Sequence, residues 1–443
     1  MKPNGGGGWA RLRECFGAWR AGAAARADDL TAEERTRQTY RCERWRAVFS
    51  GILETAGATF LLLIAVRWYA AGAVAKALIA GSGSVGLLVS PWIVSRVEAL
   101  GWPVAQAASR LAQLGAASLL LTAALPWQPV FVAGSVLGMA AWAAAVPLMT
   151  QVFQENYPER RRGKLFARTV MIRIATAALF SELAGRALSG GIERYRWLLL
   201  VFAAAFAGSA LCTRCCPSRP LQRTAGSHPF KALRFVRQDR VFRQTLVMWM
   251  LMGFGNLMML PLRVEYLANP RHGVTWDGAA LTAAQVALLT GVVPNVARLA
   301  LNPFWGWAFD RMNFFALRIA LNLGFALGIF AFFGTRSVVG LMVASVLFGV
   351  SNAGGDVAWS LWVTKFAPPE RVADYMSVHT FFTGVRGVVA PVVAFQLLAH
   401  LPILTISWIS VGLILAATAV LIPELRFGQR ARPAEALVEE VSE

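Results

Sequence analysis

Residues 302–318 read NPFWGWAFDRMNFFALR. An apolar run meets the charged pair Asp310–Arg311, and after MNFFAL comes a further charge, Arg318. Long apolar segments flank the stretch on both sides, so the charges mark a short connection between two membrane-length runs. A related stretch lies earlier in the chain. SPWIVSRVEALGW at 90–102 aligns with NPFWGWAFDRMNF at 302–314 at an offset of 212 positions, with Pro91 on Pro303 and Glu98 on Asp310. A second pair repeats beside it. SVLGMAAWAAAVPLMTQVFQENYPER (135–160) matches SVLFGVSNAGGDVAWSLWVTKFAPPER (345–371) with one gap, and Gly138, Pro158, Glu159 and Arg160 fall on Gly349, Pro369, Glu370 and Arg371. The chain is therefore built from two similar halves in the same orientation.

The composition fits membrane burial. Of 443 residues, 56% are hydrophobic and 15% charged, well below the roughly 25% charge of a soluble domain, and the mean hydropathy is +0.52. Twelve apolar segments of about 20 residues can be read, the first at 47–67 and the last at 403–423, each long enough to span a bilayer. The expected organisation is an N-terminal arm at 1–46, a six-span half at 47–213, a basic linker at 214–243, a second six-span half at 244–424 and a tail at 425–443. The net charge of +19 resolves once the N-terminus is placed in the cytoplasm. Inside segments then carry about 32 Lys and Arg against about 8 outside, a positive-inside bias. That charge faces anionic lipid, so nucleic acid is not expected as a partner. In the arm, Trp9, Leu12, Phe16 and Trp19 share a helical spacing with Arg between them, as in a helix lying on the membrane or packing on the bundle. TAEE at 31–34 is a capping box that opens a second short helix.

The five cysteines, Cys15, Cys42, Cys212, Cys215 and Cys216, lack the paired spacing of a zinc site and read as reduced thiols. No nucleotide loop or Ser/His/Asp pattern stands out. Neither enzyme chemistry, a cofactor nor a metal is expected.

Gly306-x-x-x-Asp310-Arg311 followed by Arg318 resembles the loop between spans 8 and 9 of the major facilitator superfamily. The copy between spans 2 and 3, which is usually the stronger one, is degenerate here at Val94, Glu98, Ala99 and Gly101, and Asn313-Phe314-Phe315 replaces the basic end of the C-half copy. With the span count, the repeat and the linker, the resemblance covers nearly the whole chain. It implies an all-α membrane protein with 12 transmembrane helices in two pseudo-symmetric six-helix bundles and both termini cytoplasmic. It also implies a monomeric secondary transporter that alternates access to a central site. A multi-pass protein of a bacterial inner membrane is the natural setting. On this reading Glu98, Gly306, Asp310, Arg311 and Arg318 form a cytoplasmic gate, with carboxylate–guanidinium contacts that make and break between states.

Charges inside spans are costly and each needs a reason. They are Glu54, Arg173, Glu182, Arg298, Asp356 and Arg386. At 1.5 Å per residue, Arg298, Asp356 and Arg386 each lie roughly 18–22 Å from the cytoplasmic ends of their spans, near the midplane. Glu182 and Arg186 are an i, i+4 pair and read as structural. Asn295, Arg298 and Asn302 share one helix face; His379, Thr383 and Arg386 share another. SNAGGD at 351–356 and GFGN at 253–256 are expected to loosen their helices near mid-membrane, or alternatively to allow close packing. The repeat supports a ligand role, because the scaffold signals recur in both halves and the charges do not: Arg298, Asp356 and Arg386 fall on Gly86, Ala145 and Ala175. The expected substrate or coupling residues are Glu54, Arg173, Asn256, Asn295, Arg298, Asn352, Asp356, Thr383 and Arg386. Two arginines favour an anionic or zwitterionic organic solute, with a proton on Glu54 or Asp356 as the coupling ion. Two other readings stay open: a non-transporting sensor or scaffold on this fold, and a drug or metabolite exporter. The exporter is disfavoured because span 4 lacks the family's exporter arginine and span 5 its Gly-Pro signature.

Overall fold

The computed structural model describes residues 30–221, 233–362 and 372–423, excluding the side chains at 159, 160, 310, 360, 361, 372–374 and 377. Helices dominate. In chain order they are α1 (Ala32–Arg67), α2 (Ala73–Leu100), α3 (Val104–Ala124), α4 (Gln128–Asn156), α5 (Glu159–Ser189) and α6 (Tyr195–Arg214). After the linker come α7 (Arg240–Ala268), α8 (Ala283–Ala287, continuing to Arg311), α9 (Phe314–Phe333), α10 (Val338–Leu361), α11 (Val372–Leu397) and α12 (Ile403–Leu421). Ten of these runs are long and apolar enough to cross a membrane. The exceptions are α3 and α5. Polar Ser109, Arg110 and Gln113 dilute α3, and the basic start, Arg173, Glu182 and Arg186 dilute α5. The arm helix expected around 9–19 lies outside the described residues.

Local chemistry fixes the helix ends. The Thr31 hydroxyl accepts from the Glu34 amide and the Glu34 carboxylate accepts from the Thr31 amide, a complete capping box. It does not open a separate short helix: α1 runs unbroken from Ala32 into the first span, because no breaker separates them. Thr282 and Gln285 form the same box at the start of α8. Asn313 accepts from the amides of Phe315 and Ala316 and starts α9. Between α7 and α8, β1 (Thr275–Trp276) pairs antiparallel with β2 (Ala279–Ala280) across Asp277 and Gly278, both at positive φ, as a two-residue hairpin turn requires. That turn marks the hairpin end of the bundle; the 214–243 connection marks the linker end.

The two halves pack alike. α1 lies on α5 and α6 as α7 lies on α11 and α12; α2 lies on α4 as α8 lies on α10; α3 contacts α4 and α6 as α9 contacts α10 and α12. Between halves, α2 packs along α11 and α5 along α8. Small residues permit the close contacts that drive helix association in lipid. A Cβ on Gly86 of α2 would sit 2.1 Å from the Ala140 carbonyl of α4, and one on Gly349 of α10 would sit 2.3 Å from the Pro294 carbonyl of α8. Each connecting end of the linker is pinned to its own half. Asn156 donates to the Pro217 carbonyl and Gln38 to the Cys215 carbonyl, whereas the Tyr375 hydroxyl donates to Asp239.

Candidate functional site

The central feature is a chain of ion pairs across the two halves. Arg298 on α8 donates from Nη1 to Glu54 of α1 at 2.5 Å and from Nε to Asp356 of α10 at 2.5 Å. Glu54 also meets Arg173 of α5 at 3.1 Å. Asn295, one turn before Arg298, accepts from Nη1 at 3.4 Å. The four charged side chains are 11–37% exposed, so they border open space instead of filling a packed core. Two guanidinium groups and two carboxylates leave the cluster neutral.

Within about two turns toward the hairpin end, both bridging helices change their winding. α1 is π-helical over Ala56–Phe60 and α8 over Leu288–Val292, and these turns meet where Thr59 and Thr290 share a hydrogen bond of 3.1 Å. A π turn wedges in one extra residue and rotates the side chains beyond it about the helix axis, a device common at functional sites.

The hairpin end is sealed by contacts that sequence reasoning did not find. Lys76 of α2 pairs with Glu265 of α7 at 3.0 Å, both buried. Glu265 also accepts from Asn269 at 2.9 Å and meets Arg271 at 3.1 Å. Arg67 donates to the carbonyls of Ala268, at 3.2 Å, and Leu281, and Ser189 accepts from the Ala284 amide at 2.8 Å. A cavity of about 800 Å³ lies over this seal, with Arg67, Lys76 and Arg271 in its lining. The signal is present as Lys76 in AKAL (75–78) and Glu265 in RVEY (263–266), but both sit at span ends, where a charge normally needs no partner.

Several expected site residues fall elsewhere. Arg386 is not in the central cluster: it is buried in the second half, donates to the Trp249 carbonyl and forms no ion pair with the described residues. Thr383 is buried beside it in sequence, with an unpartnered hydroxyl. Asn256 has a buried, unpartnered carbonyl oxygen, and Asn352 is half-buried. SNAGGD does not break α10, nor GFGN α7; both helices are continuous. Their glycines are packing positions, Gly354 against Leu321 and Trp305, and Gly255 against the Ser410 carbonyl.

The expected gate divides as well. Arg318 is fully buried, its guanidinium 3.8 Å from the Trp249 ring centroid. α9 begins at Phe314, so Arg318 is already in its second turn and points inward. Arg311 lies over the Trp307 ring. Glu98 is half-buried, and a Cβ on Gly306 would meet nothing within 4 Å. The Asp310 side chain is outside the described residues. Glu182 pairs with Arg186 at 2.5 Å.

No protein-family model matches the sequence, and no curated protein matches it. Solved structures do. The nucleoside transporter NupG superposes with a TM-score of 0.64 at 14% identity, covering 88% of this chain and 99% of that one. A D-xylose-proton symporter gives 0.61 at 17% identity, covering 88% and 96%. The human organic anion transporter MFSD10 (TETRAN) gives 0.61 at 15% identity, covering 88% and 100%. The fold is that of the major facilitator transporters. In this major facilitator fold, the Arg298 cluster lies where α1 and α5 of one half face α8 and α10 of the other. These neighbours are transporters, and membrane-length helices make this chain a multi-pass membrane protein.

Proposed function

We propose that this protein is a secondary active transporter of a small zwitterionic or anionic organic solute, working by alternating access across a bacterial inner membrane. In this reading α3 and α5 also span, giving twelve transmembrane helices, and both termini are cytoplasmic. The chain functions as a monomer, with the halves at 47–213 and 244–424 rocking about the central site. The observation that carries the reading is the Arg298–Glu54 pair, which joins the two halves at mid-bundle. Further hydrogen bonds and an ion pair join the halves between this pair and the hairpin end, as a closure at that end requires.

The neutrality of the cluster refines the solute class. An entering carboxylate competes with Glu54 or Asp356 for Arg298, which offers paired donors of matching geometry. A displaced carboxylate then needs either a proton or the ammonium group of a zwitterion. The first couples solute binding to uptake of a proton by Glu54 or Asp356; the second balances the charge within the solute itself.

A thermal-shift screen of purified protein against amino acids, carboxylates, phosphates, sugars and nucleosides tests this, with Arg298→Gln in parallel. A ligand at 100 times its dissociation constant stabilises by about 2.7 kcal/mol. Stabilisation of the wild type by an ionic solute, lost in Arg298→Gln, is the expected result. Equal stabilisation of both proteins by every hit would overturn the assignment.

A further inference from the structure

The second half contains two buried cations that the transport reading leaves unused. Arg318 of α9 and Arg386 of α11 are 0% and 8% exposed, and neither pairs with a carboxylate among the described residues. All three nitrogens of Arg318 lack a hydrogen-bond partner, as does Nε of Arg386. Both guanidiniums face the same ring, Trp249 of α7, at 3.8 and 5.9 Å from its centroid. His379 is fully buried, with both ring nitrogens unpartnered, and Trp249, Trp359 and Trp362 surround it at 5.4, 5.5 and 5.2 Å. The indole N–H group of Trp249 and the Thr383 hydroxyl are buried and unpaired too.

Such a set has one chemical meaning. Guanidinium and indole nitrogens only donate, so four guanidinium nitrogens and the Trp249 indole await an acceptor. A buried charge without a counter-charge is strongly destabilising, and two like charges around one ring repel each other. Stacking on Trp249 offsets part of this but satisfies no N–H group. The missing component is an acceptor with negative charge. The aromatic rings pack closely, with Trp249 and Trp362 6.2 Å apart, which favours a single atom over a larger oxyanion.

We propose that the Arg318–Trp249–Arg386 cluster binds a halide-sized inorganic anion, chloride being the abundant candidate. The anion would tie α7, α9 and α11 together and make the stability of the second half depend on anions. This inference stands apart from the solute site, because none of its residues touches Arg298.

The test is thermal unfolding of the full chain at constant ionic strength while gluconate is exchanged for chloride or bromide. The wild type is expected to show a saturable rise in Tm with either halide. Arg318→Gln should weaken the apparent affinity by at least about tenfold, the loss expected on removing a charge-assisted donor. Exposed Arg194→Gln should respond like the wild type. Equal wild-type Tm in gluconate and chloride would overturn the proposal, as would an unchanged halide response in Arg318→Gln. Should Arg318→Gln fail to fold, bromide anomalous scattering from wild-type crystals decides: a peak between Arg318 and Arg386 supports the site, and none at saturating bromide refutes it.

Discussion

Lys76→Met is the most informative perturbation of the hairpin-end seal. Lys76 and Glu265 are buried, with side chains 9% and 0% exposed, and they pair across the halves at 3.0 Å. Removing one partner of a buried pair costs about 3–5 kcal/mol. Glu265 keeps Asn269 and Arg271, which places the loss near the low end, about 3 kcal/mol, or roughly 150-fold in an equilibrium constant. Both retained partners belong to the same half as Glu265, so the loss falls on the closure between halves. Spin labels at Trp127→Cys and Val339→Cys, in a background without the native cysteines, would report it. These positions are 66% and 74% exposed and sit at the hairpin end of opposite halves. Lys76→Met should add or enlarge a long-distance population. Lys76→Met with Glu265→Met should restore the short one, since the apolar pair strands no buried charge and Arg271, which loses Glu265, is half-exposed. An unchanged distance distribution in folded Lys76→Met protein, or a double variant as open as the single, would refute the reasoning.

The same geometry gives further expectations. Thr59→Val removes the Thr59–Thr290 bond and should shift the balance the same way by about 1 kcal/mol, roughly fivefold, read with the same labels. Gly86→Val forces a side chain into the Ala140 carbonyl, where even a Cβ would stand 2.1 Å away; a stability loss of about 1–3 kcal/mol is expected in thermal unfolding. Glu54→Gln should keep the fold, with its Arg298 contact reduced to a neutral hydrogen bond, yet abolish any stimulation of solute uptake by an imposed proton gradient. Uptake in liposomes at matched and unmatched pH would show it.

The sequence conveys depth along the bundle better than direction around it. Arg298 and Asp356 have similar depths by residue count and are bonded. Arg386 has the same depth, yet its helix face turns it toward Trp249 and the interior of its own half. Glu54 and Arg173 join the cluster from distant positions, which periodicity alone cannot pair. The Lys76–Glu265 contact is hidden for a related reason: its partners are 189 residues apart, and each resembles an ordinary charge at a span end. Glycine runs are ambiguous by nature. Small residues either loosen a helix or let a neighbour approach, and at 351–356 the bulk of Leu321 and Trp305 decides for packing. Capping signals are more legible, since Thr31–Glu34 and Thr282–Gln285 act within one turn of their own helix.

Solute exchange across a membrane tests the central claim most directly. Proteoliposomes carrying wild type or Arg298→Gln would be incubated with a mixed panel of amino acids, organic acids, sugars and nucleosides, and their contents quantified by mass spectrometry. At least one zwitterionic or anionic solute should enter wild-type vesicles and stay outside Arg298→Gln vesicles of equal protein content. Identical contents in both, across the whole panel, would contradict a transport site built on Arg298.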